Sequence, residues 1–365
     1  MLGEAQAKCE YIADAPVHPD IGAQLRNIYL AKGALATTAI EGNSLTEDQV
    51  RRILDKTLKL PPSQEYLGQQ VDNVIDAFNQ VGEQILSGDD QNLTPERIAG
   101  YNATILKNLP LDPEVTPGEY RSHDVWVGRY KGVPPQDCLY LTGLLCGWIN
   151  QRDPNLKPPL AIGIEILKAI LAHLYLAWIH PFGDGNGRVA RLLEFEILLR
   201  ASLPDIAVHL LSNHYNKTRD EYYRQLDFSS TSSQRGQVFP FVEYALQGFV
   251  DGLDEQIRSI QDHQLKIQWR NFVHRSFDEH TSKADTRRKH LLLDLTDQEA
   301  GRNVRPNDIP NLSPRMGAAY ANKTRKTIQR DINELENMGL VIAEKGTIRA
   351  NIGLLTTFLP RKRAP

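Results

Sequence analysis

A glycine-rich stretch between two apolar runs constrains this chain more than any other part of its sequence. The stretch covers residues 180–191 and reads HPFGDGNGRVAR. The run before it, residues 161–179, is apolar at nearly every turn, which predicts a helix buried on most sides. A second apolar helix is predicted from about Gly187 through Leu198. Because three glycines fall within five residues, the first helix must stop and the chain must turn sharply here.

The turn carries the kinds of group that phosphate chemistry needs. Glycine permits positive φ angles, so backbone N–H groups can point into one concavity, to which the next helix adds its dipole. Arg188 and Arg191 share a face of that helix's first turn, so both can reach a polyphosphate. Asp184 is a hard oxygen ligand suited to Mg²⁺. His180 can take a proton near neutral pH.

Each of these residues also has an ordinary structural explanation. His180 could simply end a helix, Asp184 could cap one, and the arginines could lie in solvent on a first turn. A chance coincidence of all of them in one short stretch is far less frequent than any single match. The combination therefore indicates a phosphate-binding site with a base beside it.

This stretch resembles the signature of the Fic family, His-Pro-Phe-x-Asp/Glu-Gly-Asn-Gly-Arg-x-x-Arg, at every fixed position. The resemblance implies transfer of AMP from ATP, with Mg²⁺, to a protein hydroxyl, with His180 as the base, Asp184 as the metal ligand and Phe182 as a core anchor. Whether His180 is neutral stays open, since a helix C-terminus favours the protonated form and nearby arginines oppose it. The nucleotide-binding residues expected in the loop are Gly183, Asp184, Gly185, Asn186, Gly187, Arg188 and Arg191.

A second, shorter motif ends a predicted helix over residues 20–40. Residues 37–42 read TTAIEG, which is similar to the inhibitory motif of Fic proteins, Ser/Thr-x-x-x-Glu-Gly/Asn. Such a short pattern alone more often marks a helix end, and Gly42 is a good stop. Beside the catalytic motif, the resemblance implies that Glu41 is an inhibitory residue that pairs with Arg191.

The segment 117–132 is the one convincing β region of the sequence. Trp126 and Val127 favour a strand, and glycines can turn the chain back. An ordinary hairpin is one interpretation. The other is that it resembles the Fic flap, which presents the target hydroxyl by strand addition, with Trp126 and Val127 near the nucleotide. Tyr222 and Tyr223, in a predicted helix over 214–226, are expected to stack on adenine, although one of them could serve only core packing.

The length and composition predict several domains in one soluble chain. At 365 residues and 41.2 kDa the chain exceeds one ordinary core. The three cysteines and a net charge of −3 favour a cytoplasmic protein with no membrane partner. The predicted divisions are an N-terminal helical region with the inhibitory motif (1–95), a Fic catalytic core (96–258), a connecting helix (259–285), a winged-helix-like domain (286–357) and a tail (358–365). Residues before Pro19 are expected to be extended.

The C-terminal domain is predicted from helices followed by a strand and a tight turn, an order that resembles a winged helix. Its third helix carries basic residues that could face a DNA major groove. A solvated face or a protein-docking module are the alternatives. The basic residues are Lys323, Arg325, Lys326 and Arg330.

Together these features predict a mainly α protein with a Fic-type helical core, a small β-hairpin flap and a C-terminal winged-helix domain. The predicted function is a protein adenylyltransferase that modifies a Ser, Thr or Tyr hydroxyl and is inhibited by Glu41. The target could be the protein itself, and a homodimer and DNA are further candidate partners. The alternatives are a DNA-binding regulator that senses nucleotide, or a Fic enzyme that removes AMP or transfers another phosphate-containing group.

Overall fold

A computed structural model shows the fold in two compact units, Met1–Ile257 and Arg258–Pro365. The structure describes residues 1–88, 92–128, 130–151, 161–230, 237–280, 282–296 and 303–356. The predicted tail, residues 358–365, lies outside the described residues.

The N-terminal unit is built from helices. They are α1 (Leu2–Asp14), α2 (Pro19–Ala39), α3 (Glu47–Leu54), α4 (Glu65–Leu86), α5 (Pro95–Leu106), α6 (Pro135–Ile149), α7 (Ala161–Ile179), α8 (Asn186–Arg200), α9 (Leu210–Lys217) and α10 (Arg219–Ser230), followed by the first part of α11 (Phe239–Ser276).

Helix α1 contradicts the expectation of an extended lead-in. Proline blocks helix only where it stands, and Pro16 and Pro19 lie after the end of this helix. Its buried side chains, among them Ala5, Cys9 and Ile12, recur at helical spacing, and the helix packs on α7.

Helices α7 and α8 form the centre of the unit and flank the glycine-rich stretch. Their pairing is the most extensive between any two described elements, and α8 is buried over most of its length. Helix α7 is also the one described helix long and apolar enough to cross a membrane. However, 56% of its most apolar segment is buried inside the protein, where it packs against neighbouring helices.

The predicted hairpin is present but short. Strand β1 (Trp126–Val127) pairs antiparallel with β2 (Tyr130–Lys131), with Trp126 opposite Lys131 and Val127 opposite Tyr130. Gly128 turns the chain with a φ of 59°, a value that glycine adopts without strain.

Two further predicted elements differ from the structure. The segment 214–226 contains parts of two helices, because α9 ends at Lys217 and α10 begins at Arg219. The predicted connecting helix 259–285 is instead part of α11, which runs from Phe239 to Ser276, since the sequence between Phe241 and Ser276 holds no proline to break it.

The C-terminal unit has helices α12 (Lys283–Thr296), α13 (Pro314–Tyr320) and α14 (Arg325–Asn337), followed by β3 (Val341–Glu344) and β4 (Thr347–Ala350). The two strands pair antiparallel, and Val304 adds an isolated bridge to Ile348. Leucines of α12 and the apolar face of α14 fill its core, together with Trp269. This order of helices and strands is the one predicted from the sequence.

Candidate active site

His180 stands where α7 ends, in a conformation that side chains other than glycine seldom adopt. Its φ is +48°, and its Nδ1 lies 3.3 Å from the carbonyl oxygen of Ala177. That contact places the ring proton on Nδ1 and leaves Nε2 as an acceptor. Burial, reinforced by the cation of Arg121 and opposed by the Ala177 hydrogen bond, lowers the pKa of His180 to about 4. The imidazole is therefore neutral near pH 7, which answers the question that the sequence left open.

Arg121 was missed in the sequence, and it holds the backbone on both sides of His180. Its Nε donates to the His180 carbonyl at 2.7 Å, and its own backbone N–H donates to the Pro181 carbonyl at 3.0 Å. Its Nη1 donates to the His123 carbonyl, which fixes the approach to the hairpin. A Cβ built on Gly132, at the hairpin's end, would lie 3.6 Å from the His180 Cβ. Arg121 therefore holds the end of the hairpin and His180 in a fixed relative position.

The glycine-rich loop is held by two asparagines. Asn186 accepts from the Phe182 N–H at 2.9 Å and donates back to its carbonyl at 2.8 Å. Asn102 of α5 donates to the Asp184 carbonyl at 2.8 Å. Gly185 has a φ of +83°, and a Cβ there would lie 2.9 Å from the Asn102 amide nitrogen, so this position requires glycine. Asn102 was not predicted because it lies far away in the sequence.

The Arg188 guanidinium is buried and only partly paired. Its Nη2 donates to Asp184 Oδ1 at 3.0 Å, whereas Nε and Nη1 have no hydrogen-bond partner among the described residues. Buried donors of this kind fit a phosphate, which accepts several charge-assisted hydrogen bonds. Asp184 is about half exposed, so its carboxylate can be reached from solvent. One carboxylate plus substrate phosphates is a usual setting for Mg²⁺.

Arg191 is fully buried and bound to the end of α2. Its Nη2 donates to the Thr37 carbonyl at 3.0 Å and to Glu41 Oε1 at 2.5 Å. Although burial opposes ionisation, Arg191 lowers the pKa of Glu41 below its usual value. The carboxylate and the guanidinium are therefore both charged. Nε and Nη1 of Arg191 have no partner within the described ranges, so two of the three guanidinium nitrogens lack a hydrogen bond.

Gly187 provides the space that this ion pair occupies. A Cβ at this position would lie 2.3 Å from Glu41 Oε1 and 3.1 Å from Arg191 Nη1. A second contact holds the end of α2 in place, because the Tyr223 hydroxyl donates to the Ile40 carbonyl at 3.0 Å. The predicted inhibitory residue is thus brought against the predicted phosphate-binding residues by contacts from two helices.

A cavity of about 390 Å³ opens between the loop, the hairpin and α10. Trp126 does not line it, and its side chain is two-thirds exposed on the hairpin. Gly183, Asp184, Gly185, Arg188 and Arg191 are likewise not among its walls, and Glu41 covers Arg191. Of the predicted site residues, those that line the cavity are Glu41, Val127, His180, Asn186, Gly187, Tyr222 and Tyr223.

Tyr222 is buried and positioned by a polar network that was not predicted. Its hydroxyl lies 2.9 Å from His173 Nε2, and His173 Nδ1 lies 3.1 Å from a Glu194 carboxylate oxygen. Tyr215 donates to the other Glu194 oxygen at 2.8 Å. The sequence signal was a histidine and a glutamate inside the two apolar helices, where polar residues need partners.

The region that is similar to known proteins includes this site. Residues 92–198 match the model of the Fic/DOC family. The protein named protein adenylyltransferase fic-1 of Caenorhabditis briggsae is 31% identical over 208 residues, which are 57% of this chain and 37% of that relative. The chain therefore spans less than half the length of this curated relative.

Two solved structures share the fold. A Fic family protein from Desulfovibrio desulfuricans G20 aligns over 96% of this chain and 95% of its own, with a TM-score of 0.55 and 20% identity. Fic-1 from C. elegans aligns over 71% and 72% respectively, with a TM-score of 0.57 and 24% identity. These solved structures confirm the mainly helical Fic-type fold expected from the sequence, and the match to the Fic/DOC family model is confined to residues 92–198.

Proposed function

We propose that this protein transfers the AMP part of ATP to a Ser, Thr or Tyr hydroxyl of a protein. The observation that carries the proposal is a neutral His180 at the edge of a cavity, next to a helix α8 whose first turns carry two arginines with unsatisfied buried nitrogens. The relative from Caenorhabditis briggsae bears the name protein adenylyltransferase. The same loop is compatible with transfer of another phosphate-containing group or with removal of AMP, and the product mass separates these chemistries.

In the proposed reaction, His180 Nε2 accepts the proton of the target hydroxyl as its oxygen forms a bond to the α-phosphorus of ATP. The bond from that phosphorus to the leaving pyrophosphate breaks, so atoms and charge balance. Arg188 and Arg191 would hold the phosphates with the donors that lack partners. Asp184 would hold Mg²⁺, which neutralises charge on the phosphate oxygens.

Glu41 is proposed to inhibit this reaction by occupying Arg191. While the carboxylate is bound, the guanidinium cannot turn its paired nitrogen to a phosphate. Loss of either partner of such a pair leaves a charge stranded, which keeps the pair closed. Release would require the end of α2 to move away from Arg191 and Tyr223, as a bound partner or a change of oligomeric state would favour.

Intact mass measured over a time course with ATP and Mg²⁺ tests the proposal. We expect the Glu41→Gly variant to gain one AMP mass, or to add it to an acceptor protein, much faster than the parent. The matched control is Glu47→Gly, which removes an exposed carboxylate paired with Arg51. The double variant Glu41→Gly, Arg191→Ala should show no gain. Equal rates in the parent and in Glu41→Gly would show that Glu41 has no inhibitory role. An added phosphate mass would show that the protein transfers phosphate and not AMP.

The C-terminal unit supports a second proposal, that it is a winged helix which binds duplex DNA. The first half of α14 and the turn before it expose four basic side chains, none of which forms an ion pair with another described residue. The buried face of the same helix is fixed by Ile328, Ile332 and Leu335. These basic residues are Lys323, Arg325, Lys326 and Arg330.

Fluorescence anisotropy with duplex DNA at low salt tests this proposal. The parent should bind, and alanine at Lys323, Arg325 and Arg330 should abolish binding and leave AMP transfer unchanged. A control variant removes the same charge from the N-terminal unit, by alanine at Arg52, Lys56 and Lys59. Absence of binding by the parent would end the DNA proposal. We also propose a cytoplasmic location and a homodimer, the latter to be measured by light scattering.

A further inference from the structure

An apolar groove lies beside the proposed active site and has no role in the chemistry described so far. Its volume is about 920 Å³, more than that of the nucleotide cavity. Its walls come from the end of the hairpin and from the facing sides of α6 and α7. They include Leu141, Leu144, Trp148, Leu171 and Tyr175. Large apolar pockets of this kind bind the apolar parts of ligands or partner chains.

The groove and the nucleotide cavity share a wall. Tyr130 and Trp178 line both, and the Tyr130 hydroxyl donates to the Trp178 carbonyl at 2.7 Å. Ile179, which also lines the groove, directly precedes His180. A polypeptide that places a hydroxyl at His180 therefore has the groove within reach of its neighbouring residues.

The hairpin alone offers little to hold such a polypeptide. Each strand has two residues, so an added strand could form few main-chain hydrogen bonds. Among the described residues that line the groove, Lys131 is the one charged side chain, and it is paired with Asp124 at 2.6 Å. The described walls of the groove therefore offer mainly apolar burial, and burial of one large side chain supplies the affinity that the short strand lacks.

We propose that the groove binds a bulky apolar side chain of the target polypeptide, a few residues from the modified hydroxyl. This specificity site rests on the proposed transfer of AMP to protein hydroxyls. It assigns the substrate a stated chemistry: an extended segment with a Leu, Ile, Met, Phe or Trp on one side of its Ser, Thr or Tyr.

A peptide library tests the proposal with the full-length Glu41→Gly variant, ATP and Mg²⁺. Peptides carry one central hydroxyl residue and random flanks, and those that gain AMP are sequenced by mass spectrometry. We expect enrichment of bulky apolar residues at one flanking position. An individual peptide with alanine at that position should have a kcat/KM lower by about tenfold or more.

Variants of α6 provide a matched pair. Leu144 is 54% exposed and lines the groove, whereas Leu139 on the same helix is 53% exposed and does not. Leu144→Asp should erase the apolar preference, and Leu139→Asp should keep it. Leu144→Trp, which fills the groove without adding charge, should also erase the preference and guards against a loss caused by misfolding.

The outcomes separate the groove from the chemistry. If Glu41→Gly adds AMP to peptides with no apolar preference, or if both Leu144 variants keep the preference, the groove proposal is wrong and the transferase stands. If no peptide and no protein gains AMP, the proposed function fails first. If the Leu144 variants change the oligomeric mass but not peptide selection, the groove's occupant is a second copy of the chain and the proposal is overturned.

Discussion

Two buried charges, one in each unit, are treated in opposite ways by their surroundings. Asp331 of α14 is fully buried, and it accepts hydrogen bonds from Arg287 at 2.7 Å, Arg288 at 3.0 Å and the Tyr320 hydroxyl at 3.2 Å. Arg191 of α8 is equally buried, yet two of its nitrogens lack any partner among the described residues.

The difference shows what each charge is for. A buried charge whose hydrogen bonds are complete fixes the packing of its neighbours, as Asp331 fixes α12 against α14. A buried charge left half satisfied is costly unless a ligand completes it, and such groups concentrate at functional sites. We therefore expect changes around Arg191 to alter activity more than stability, and changes at Asp331 to do the reverse.

The largest expected effect is on catalysis, from His180→Ala in the Glu41→Gly background. Loss of a general base typically costs about 10²–10⁴-fold in rate, so transfer should nearly vanish. Nucleotide affinity and the melting temperature should hardly change, because the side chain makes one hydrogen bond to the described residues, with the Ala177 carbonyl. Single-turnover mass spectrometry measures the rate and calorimetry measures binding. Undiminished transfer would remove His180 from the role of base.

The next effect is on stability, from Asp331→Ala. Removing this carboxylate strands the Arg287 cation and leaves Arg288 with Asp285 alone, and breaking a buried pair typically costs roughly 3–5 kcal/mol. Hydrogen exchange in α12 and α14 should accelerate, while exchange in α7 and transfer activity stay unchanged. Asp308→Ala is the control, because its pair with Arg305 is exposed and such pairs contribute about 0–1 kcal/mol. Normal protection in Asp331→Ala would show that the cluster is dispensable.

A smaller effect is expected on ATP affinity from Glu41→Gln, which keeps the shape of the side chain and removes its charge. Freeing Arg191 should tighten binding of a non-hydrolysable ATP analogue, within the range of about 5–150-fold typical of coupled sites. Calorimetry gives the affinity, with Glu47→Gln as the control for loss of an exposed carboxylate. Unchanged affinity would mean that Arg191 does not contact the nucleotide.

The smallest effect concerns pH. Burial lowers the pKa of His180 to about 4 from 6.5, so the base is neutral at all pH values well above 4 and is lost only as pH falls through 4. We expect kcat/KM of the Glu41→Gly variant to vary less than about twofold between pH 6 and 8 from this group. The Glu41→Gly change also removes a negative charge that raises this pKa, which favours the neutral base. An acid limb near pH 6.5 would indicate a solvated His180.

The local parts of the site could be predicted from the sequence, and the distant parts could not. The loop from His180 to Arg191 carries its chemistry within one turn, and glycine spacing and helix dipoles are local properties. Arg121 and Asn102 reach the loop through hydrogen bonds that span 59 and 82 residues, for which the sequence has no periodic signal. The pairing of Glu41 with Arg191 was predicted through a resemblance, since neither residue indicates the other by spacing.

Tertiary context also decided the elements that differ. Helix α1 was missed because the prolines beyond its end dominated the interpretation of that segment. The break between α9 and α10 falls at Thr218, whose side chain forms hydrogen bonds with the His214 carbonyl and the Tyr244 hydroxyl of α11. The resemblance to the Fic flap predicted Trp126 near the nucleotide, but in this two-residue strand its side chain is two-thirds exposed to solvent.

The order of the Glu41–Arg191 contact along the chain has a consequence during synthesis. Glu41 leaves the ribosome 150 residues before Arg191 does, which takes roughly 8–30 s at about 5–20 residues per second. The residues of α2 are therefore already synthesised when those of α8 emerge, so Glu41 is available to pair with Arg191 from the time that Arg191 is made. In the proposed scheme, a newly made molecule is never active before it is restrained, and no nascent chain spends ATP while it is being translated.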